Sequence, residues 1–203
     1  MSPAVLQRFI KLMAIAILVS GGFYLGYQYF SSEAPGDYYV RQGDIRLSDG
    51  EYDKALASFD KALDEKPDHR GALMGRALVY IQTERYDEAI AELDYLIDYL
   101  NKTVTDDDST GRGALAAAYS NRGIVFDRLG QYKKALDDYI AALNTDQKTV
   151  SGPGVIHKIL YGSEGVSTVR DRARYIYEQL QLPKDQRVLR VPELDEKQRM
   201  YKP

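Results

Sequence analysis

Two hydrophobic patterns divide the chain. From Leu12 to Ser32 there is no charged residue, and Leu12 to Val19 is wholly apolar. Twenty-one residues make a helix of about 31 Å, enough to cross the hydrocarbon core of a bilayer. Beyond residue 36 the apolar positions become periodic. Ala55, Phe59, Ala62 and Leu63 recur at spacings of three and four, which predicts an amphipathic helix with one buried stripe, stopped by Pro67. Ser151-Gly-Pro-Gly154 is a breaker cluster, and Val155 to Leu160 after it predicts a short helix. Val166, Val169, Ala173, Ile176 and Leu180 again follow helical spacing, predicting a terminal helix over residues 164–181 that Pro183 ends. The charged tail from Lys184 to Pro203 contains Pro192 and scattered apolar residues. It is expected to be disordered or laid along a partner.

The central region repeats itself, and that decides the fold. Tyr52 and Ala55 return as Tyr86 and Ala89, 34 residues on, and as Tyr132 and Ala135 after a further 46. The segments read Glu-Tyr-Asp-Lys-Ala-Leu, Arg-Tyr-Asp-Glu-Ala-Ile and Gln-Tyr-Lys-Lys-Ala-Leu. A first unit near 36–69 carries Tyr39, Gly43, Gly50, Tyr52, Ala55, Phe59, Ala62 and Pro67. A second near 70–103 carries Leu73, Ala77, Tyr80, Tyr86, Ala89 and Leu93, with Leu96 and Asn101 as departures. A third near 116–149 carries Tyr119, Gly123, Phe126, Gly130, Tyr132, Ala135, Tyr139 and Ala142. On these residues the chain resembles the tetratricopeptide-repeat (TPR) family over roughly half its length. Together, the uncharged N-terminal segment, this resemblance and the helical spacing after residue 164 predict an all-α fold: an N-terminal transmembrane helix, then a three-repeat TPR α-solenoid with a C-terminal capping helix. The domains expected are an anchor over 1–32, repeats over 36–150, a capping region over 151–182 and a charged tail over 183–203. The small residues Gly43, Ala77 and Gly123 are expected to let the first helix of each repeat approach the second. The 12-residue excess before the third repeat falls near Thr103–Gly113, which is polar and reads as a loop, with extension of the second helix of the second repeat to Leu100 or beyond as a further reading. Repeats of this kind stack because none can bury its apolar face alone.

The N-terminal segment acquires a direction from its flanks. Arg8 and Lys11 precede it, and Glu33 and Asp37 follow. The basic side stays in the cytoplasm, so the N-terminus is expected inside and the repeats on the periplasmic or exported side of an inner membrane. Phe23, Tyr24, Tyr27, Tyr29 and Phe30 suit an interfacial belt. A cleaved signal peptide is the rival reading. Ser20-Gly21-Gly22 is small enough for a peptidase, but Phe23 and Tyr24 directly after it do not resemble a cleavage region. A mitochondrial presequence is a third reading, with few basic residues to support it. Gly22 and Gly26 form a GxxxG pair, the spacing at which two helix backbones approach closely, and mark a membrane helix contact.

Charge and chemistry narrow the function. From Glu33 onward 25 basic residues face 30 acidic ones, a net charge of −5. Nucleic acid is a poor partner for such a surface. There is no cysteine, which removes disulfides, thiolate metal sites and a cysteine nucleophile. His69 at a repeat boundary reads as a solvated turn residue, and His157 has no evident partner. Asp106, Asp108 and Thr110 before Gly111 resemble the start of a calcium loop, but Ala117 stands where that loop needs a bidentate Glu. A solvated acidic loop is the better reading. Asn101-Lys-Thr103 fits a glycosylation sequon. No phosphate loop, Ser-centred elbow or His pair at metal spacing occurs. The chain is expected to be no enzyme, with no cofactor, no metal and no small-molecule substrate.

The resemblance implies a ligand face on the first helices of the repeats. Carried over residue by residue it gives Val40, Asp44 and Leu47, then Met74, Leu78 and Ile81, then Ser120, Asn121, Ile124 and Asp127. Some family members hold a peptide carboxylate with Lys, Asn and Arg in this groove. The corresponding places here are Val40, Asp44, Gly75, Ala117 and Asn121, of which only Asn121 fits, so that clamp is not expected. An apolar strip rimmed by acids suits an amphipathic helix or extended peptide, or the chain's own terminal helix or tail. The function expected is a protein-interaction scaffold, an accessory subunit or assembly factor of a membrane protein complex. The alternative is a soluble exported adaptor of envelope or secretion components after signal cleavage.

Overall fold

A computed structural model describes residues 3–31, 34–150, 168–191 and 200. Among these residues there are eight α helices and no strand. The segment predicted as a short helix over Val155–Leu160, together with Val166 and His157, lies outside the described residues.

The chain divides into two compact units, residues 1–35 and residues 36–203. The first is helix α1 (Pro3–Ser31). Its segment Val5–Gly26 is long and apolar enough to cross a membrane, and none of it is buried. Length and composition of this kind meet the needs of a span and equally those of an N-terminal signal sequence.

The second unit is a stack of helix pairs: α2 (Asp37–Ser48) with α3 (Tyr52–Glu65), α4 (Arg70–Gln82) with α5 (Tyr86–Thr103), and α6 (Ser109–Arg128) with α7 (Tyr132–Val150). α7 is broken by the extended backbone of Asp146. α3 packs on α4 and α5 on α6, which joins successive pairs, and α8 (Val169–Gln181) packs on α7. α3 ends as its stripe predicts: Lys66, before Pro67, is extended, because a following proline disfavours helical backbone.

The stripes meet at small residues. Ala55, Ala89 and Ala135 are fully buried. Phe59 stands between two glycines of successive repeats: a Cβ on Gly43 would lie 2.4 Å from its ring, and one on Gly75 2.3 Å. Gly123 meets the Tyr139 ring in the same way, at 2.7 Å. In each turn between paired helices one residue has positive φ: Gly50 (+74°), Glu84 (+58°) and Gly130 (+71°). Glycine fits this left-handed backbone and glutamate does not.

Arginines tie the repeats from outside. Arg76 of α4 donates to Glu92 of its own repeat at 2.6 Å and to Asp60 of the preceding one at 2.8 Å. Arg122 of α6 does the same 46 residues on, with Asp138 at 2.8 and 2.7 Å and Asp94 at 2.6 Å. The hydrogen bond to Asp138 is the main reason that the Arg122 guanidinium holds its proton beyond the ordinary arginine range. Gln42 takes the arginine's place in the first repeat and donates to the Tyr38 hydroxyl. Ile140 takes the place of Asp60 and Asp94 in the third.

The structure corrects three expectations. The 12-residue insertion is mostly helix. α5 is four residues longer than α3, α6 is seven longer than α4, and the linker Val104–Asp108 is one residue longer than 66–69. Asp108 makes the early start of α6 stable: its carboxylate accepts from Gly111 N–H at 2.7 Å as an N-cap and from Arg70 at 3.1 Å. The Gly111 N–H holds the Asp108 carboxyl below its ordinary range, with Arg70 adding to it. Asp106 and Asp107 form an exposed turn, and Asp108 after them starts the helix. His69 is no solvated turn residue: its side chain is 14% exposed and its Nε2 lies 2.8 Å from Asp37 Oδ1, joining the N-cap of α4 to the start of α2. The tail from Leu182 to Val191 is ordered along its own helix, as described below.

Candidate interaction surface

The offsets of 34 and 46 residues place the expected ligand face in register. Val40, Met74 and Ser120 occupy one equivalent position of α2, α4 and α6. Asp44, Leu78 and Ile124 occupy a second, and Leu47, Ile81 and Asp127 a third. Within each helix the spacing is four then three, which puts the three residues on one face. α2 touches α4, and α4 touches α6, so the rows run from helix to helix.

Exposure falls along those rows. In α2, Val40, Asp44 and Leu47 are half-buried. In α4, Met74, Leu78 and Ile81 are buried, in one apolar cluster with Leu93, Leu96 and Ala117. Leu47 packs against that cluster from α2. In α6, Ser120 and Asn121 are fully buried. Ser120 O–H donates to the Ala116 carbonyl at 2.8 Å, and the Asn121 amide to the Met74 sulfur at 3.3 Å. The continuous strip expected from the sequence is therefore accessible at repeat one and filled further along.

What fills it at repeat three is α8. Ile124 lies in a second cluster with Val169, Ala173 and Ile176 of α8 and with Tyr139. Asp127, read as a rim acid, is inside. Its carboxylate accepts from Arg172 Nε at 2.7 Å and Nη2 at 2.8 Å, and from the Tyr139 hydroxyl at 3.2 Å. The side chains of Arg172 and Asp127 are 2% and 3% exposed. α8 begins where Thr168 and Asp171 cap it: Thr168 Oγ1 accepts from the Asp171 N–H and donates to its carboxylate, a reciprocal cap.

Sequence reasoning missed Arg172. The signal was a charged residue inside the apolar stripe of α8, between Val169, Ala173 and Ile176, with an acid in the equivalent row of α6. It missed Met200 as well. Met200 packs against the cluster that contains Met74, Leu78 and Ile81, and nothing in the tail's composition singles it out.

Gly22 and Gly26 of α1 carry open space where a Cβ would stand. Among the described residues no three His, Cys, Asp or Glu side chains gather as they would to hold a metal.

Residues 40–99 and residues 116–149 each match a family model described as Tetratricopeptide repeat. A stretch of 111 residues is 29% identical to part of "Anaphase-promoting complex subunit 3" of Schizosaccharomyces pombe (strain 972 / ATCC 24843), covering 55% of this chain. The match spans only 15% of that protein. Among solved structures, the first TPR of Spaghetti (RPAP3) bound to the HSP90 peptide SRMEEVD is 18% identical with a TM-score of 0.52, covering 73% of this chain and 94% of that one. The first TPR domain of the human RPAP3 protein is 18% identical with a TM-score of 0.53, covering 72% and 93%. At such identities the two structures bear on the fold alone.

Proposed function

Taking as premise that the chain carries tetratricopeptide repeats, we propose that it is a membrane-held interaction scaffold, an accessory subunit or assembly factor of a membrane protein complex. In this reading α1 spans the inner membrane with Arg8 and Lys11 inside, and the repeats lie on the periplasmic side. Gly22 and Gly26 meet a partner's transmembrane helix. The inner face of the first repeat takes a helix or extended peptide at Val40, Asp44 and Leu47; Met74, Leu78, Ile81, Ser120, Asn121, Ile124 and Asp127, which continue the rows, are buried behind that entrance. No catalytic role is proposed.

The observation that carries this reading is one juxtaposition: a wholly exposed apolar helix followed by repeats whose first inner row is half-exposed and apolar-to-acidic. The related Spaghetti domain was solved with an HSP90 peptide. Val40, Asp44, Gly75 and Ala117 stand here where the carboxylate clamp of the family would need cations and amides, so a different peptide chemistry is inferred, with apolar anchors rather than a C-terminal carboxylate.

Purification of the full chain in mild detergent tests the proposal. Other membrane proteins are expected to co-purify, and Leu47→Asp or Gly26→Leu to reduce their recovery without loss of helical signal. Migration as a lone monomer in every mild detergent contradicts it. The second reading, an exported adaptor, rests on the N-terminal position of the apolar segment Val5–Gly26, which a signal sequence shares. Mass determination of the mature N-terminus separates the two, since cleavage near Gly22 removes the proposed anchor.

A further inference from the structure

The chain after α8 turns back. Arg172 Nη2, besides holding Asp127, donates to the Leu189 carbonyl at 3.0 Å. The Tyr175 hydroxyl donates to the Val188 carbonyl at 2.6 Å, and the Val188 N–H to Gln179 Oε1 at 2.8 Å. Arg187 closes the bend, donating to the Leu182 and Leu180 carbonyls at 2.8 and 3.0 Å. Residues 182–191 are thereby strapped along α8, and one residue of α8, Arg172, holds both the strap and the inner row of α6. Further on, Met200 is half-buried against the cluster that contains Met74, Leu78 and Ile81, to which Leu47 also packs. Nine residue steps separate Val191 from Met200, a reach of at most about 30 Å.

We propose that Met200 is a built-in occupant of the inner face, an internal ligand that an external peptide must displace. The inference rests on the reading of that face as the binding site. A methionine suits the role, because its unbranched thioether adapts to an irregular apolar surface and leaves it without rearranging the surroundings. The strap sets the strength of the competition. It keeps the chain within nine residue steps of Met200, so the competition is intramolecular and a partner with more than one apolar anchor is needed to displace it. Apparent affinity for that partner is lowered by the fraction of chains in which the face is open.

The test uses the full chain in mild detergent. The protein has no tryptophan, so Met200→Trp introduces a reporter of this position alone. Blue-shifted emission and several-fold protection from iodide are expected, both reversed by adding Leu47→Asp. Emission typical of water, or emission that Leu47→Asp leaves unchanged, overturns the proposal. In the second arm Met200→Asp is expected to raise recovery of co-purifying partners several-fold over the unaltered chain, and recovery that is equal or lower overturns it. The two readings fail separately. A solvent-exposed indole in the Met200→Trp chain, beside Leu47-dependent partner recovery, removes the internal ligand and leaves the scaffold. A buried, Leu47-dependent indole in a chain that never recovers a partner removes the scaffold reading, and with it the competition.

Discussion

The first and last junctions of the repeat stack are held by different physics. Between repeats one and two the buried contact is one of shape, the Phe59 ring filling the space that Gly43 and Gly75 leave open, and the Arg76–Asp60 ion pair lies at the exposed rim. Between repeat three and α8 it is one of charge: Arg172 and Asp127 are paired and almost wholly buried. The first junction tolerates no added atom. The last tolerates no missing partner, because a lone charge at that depth has neither water nor counter-ion. One surface is a repeat meeting its like; the other is a repeat meeting a helix that ends the array, and it is the one tied to the tail.

That contrast predicts an order of effects, each read from urea denaturation followed by helical circular dichroism. Arg172→Ala, leaving Asp127 buried without its cation, is expected to destabilise the stack by about 3–5 kcal/mol. Arg172→Met combined with Asp127→Leu should recover most of that loss. A single-variant cost as small as that of an exposed ion pair would erase the distinction between the two junctions. Gly75→Ala comes next, at about 1–3 kcal/mol for overpacking against Phe59, and Phe59→Leu in the same chain should relieve part of it. If Gly75→Ala is silent, shape does not govern the first junction.

The turn between α4 and α5 sharpens the comparison from the middle of the stack. Glu84 holds a left-handed backbone where Gly50 and Gly130 stand in the neighbouring repeats. Glu84→Gly is expected to stabilise by about 1 kcal/mol, and Gly50→Ala to destabilise. The smallest effect concerns pH. The Asp108 carboxyl is held below its ordinary value, first by the Gly111 N–H. A lowered folded-state value contributes stability that is present above the unfolded-state value and is lost as pH falls through the folded one. Acidification below the ordinary aspartate range should therefore weaken the start of α6, and Asp108→Asn, which still caps, should flatten that part of the profile.

The same contrast decides what could be read in the sequence. The repeats were legible because their contacts are local and recur: Tyr52, Tyr86 and Tyr132 with Ala55, Ala89 and Ala135 fix the phase, and Gly43 and Gly123 mark close approach. The extension of α5 past Leu100 was open to reading, but the early start of α6 was not, because Thr103–Gly113 is polar and its helix start depends on a single cap, Asp108, whose second partner Arg70 lies 38 residues earlier. His69 escapes a local reading for a similar reason, its partner Asp37 being 32 residues away. At the interaction surface the three rows followed from the offsets, but their exposure did not. Burial of Ile124 and Asp127 depends on α8, and the packing of Met200 on chain reversal at 182–191. Both are long-range pairings that no periodicity announces.

The central claim is that the repeats hold a membrane partner at the inner face of the first one. A photoreactive amino acid at Leu47 of the full chain, irradiated in membranes, tests this most directly, with Ile140, exposed on α7, as the comparison site. A discrete adduct with one membrane protein at Leu47, absent at Ile140, is the predicted result. No adduct at Leu47, or the same adducts from both sites, contradicts it.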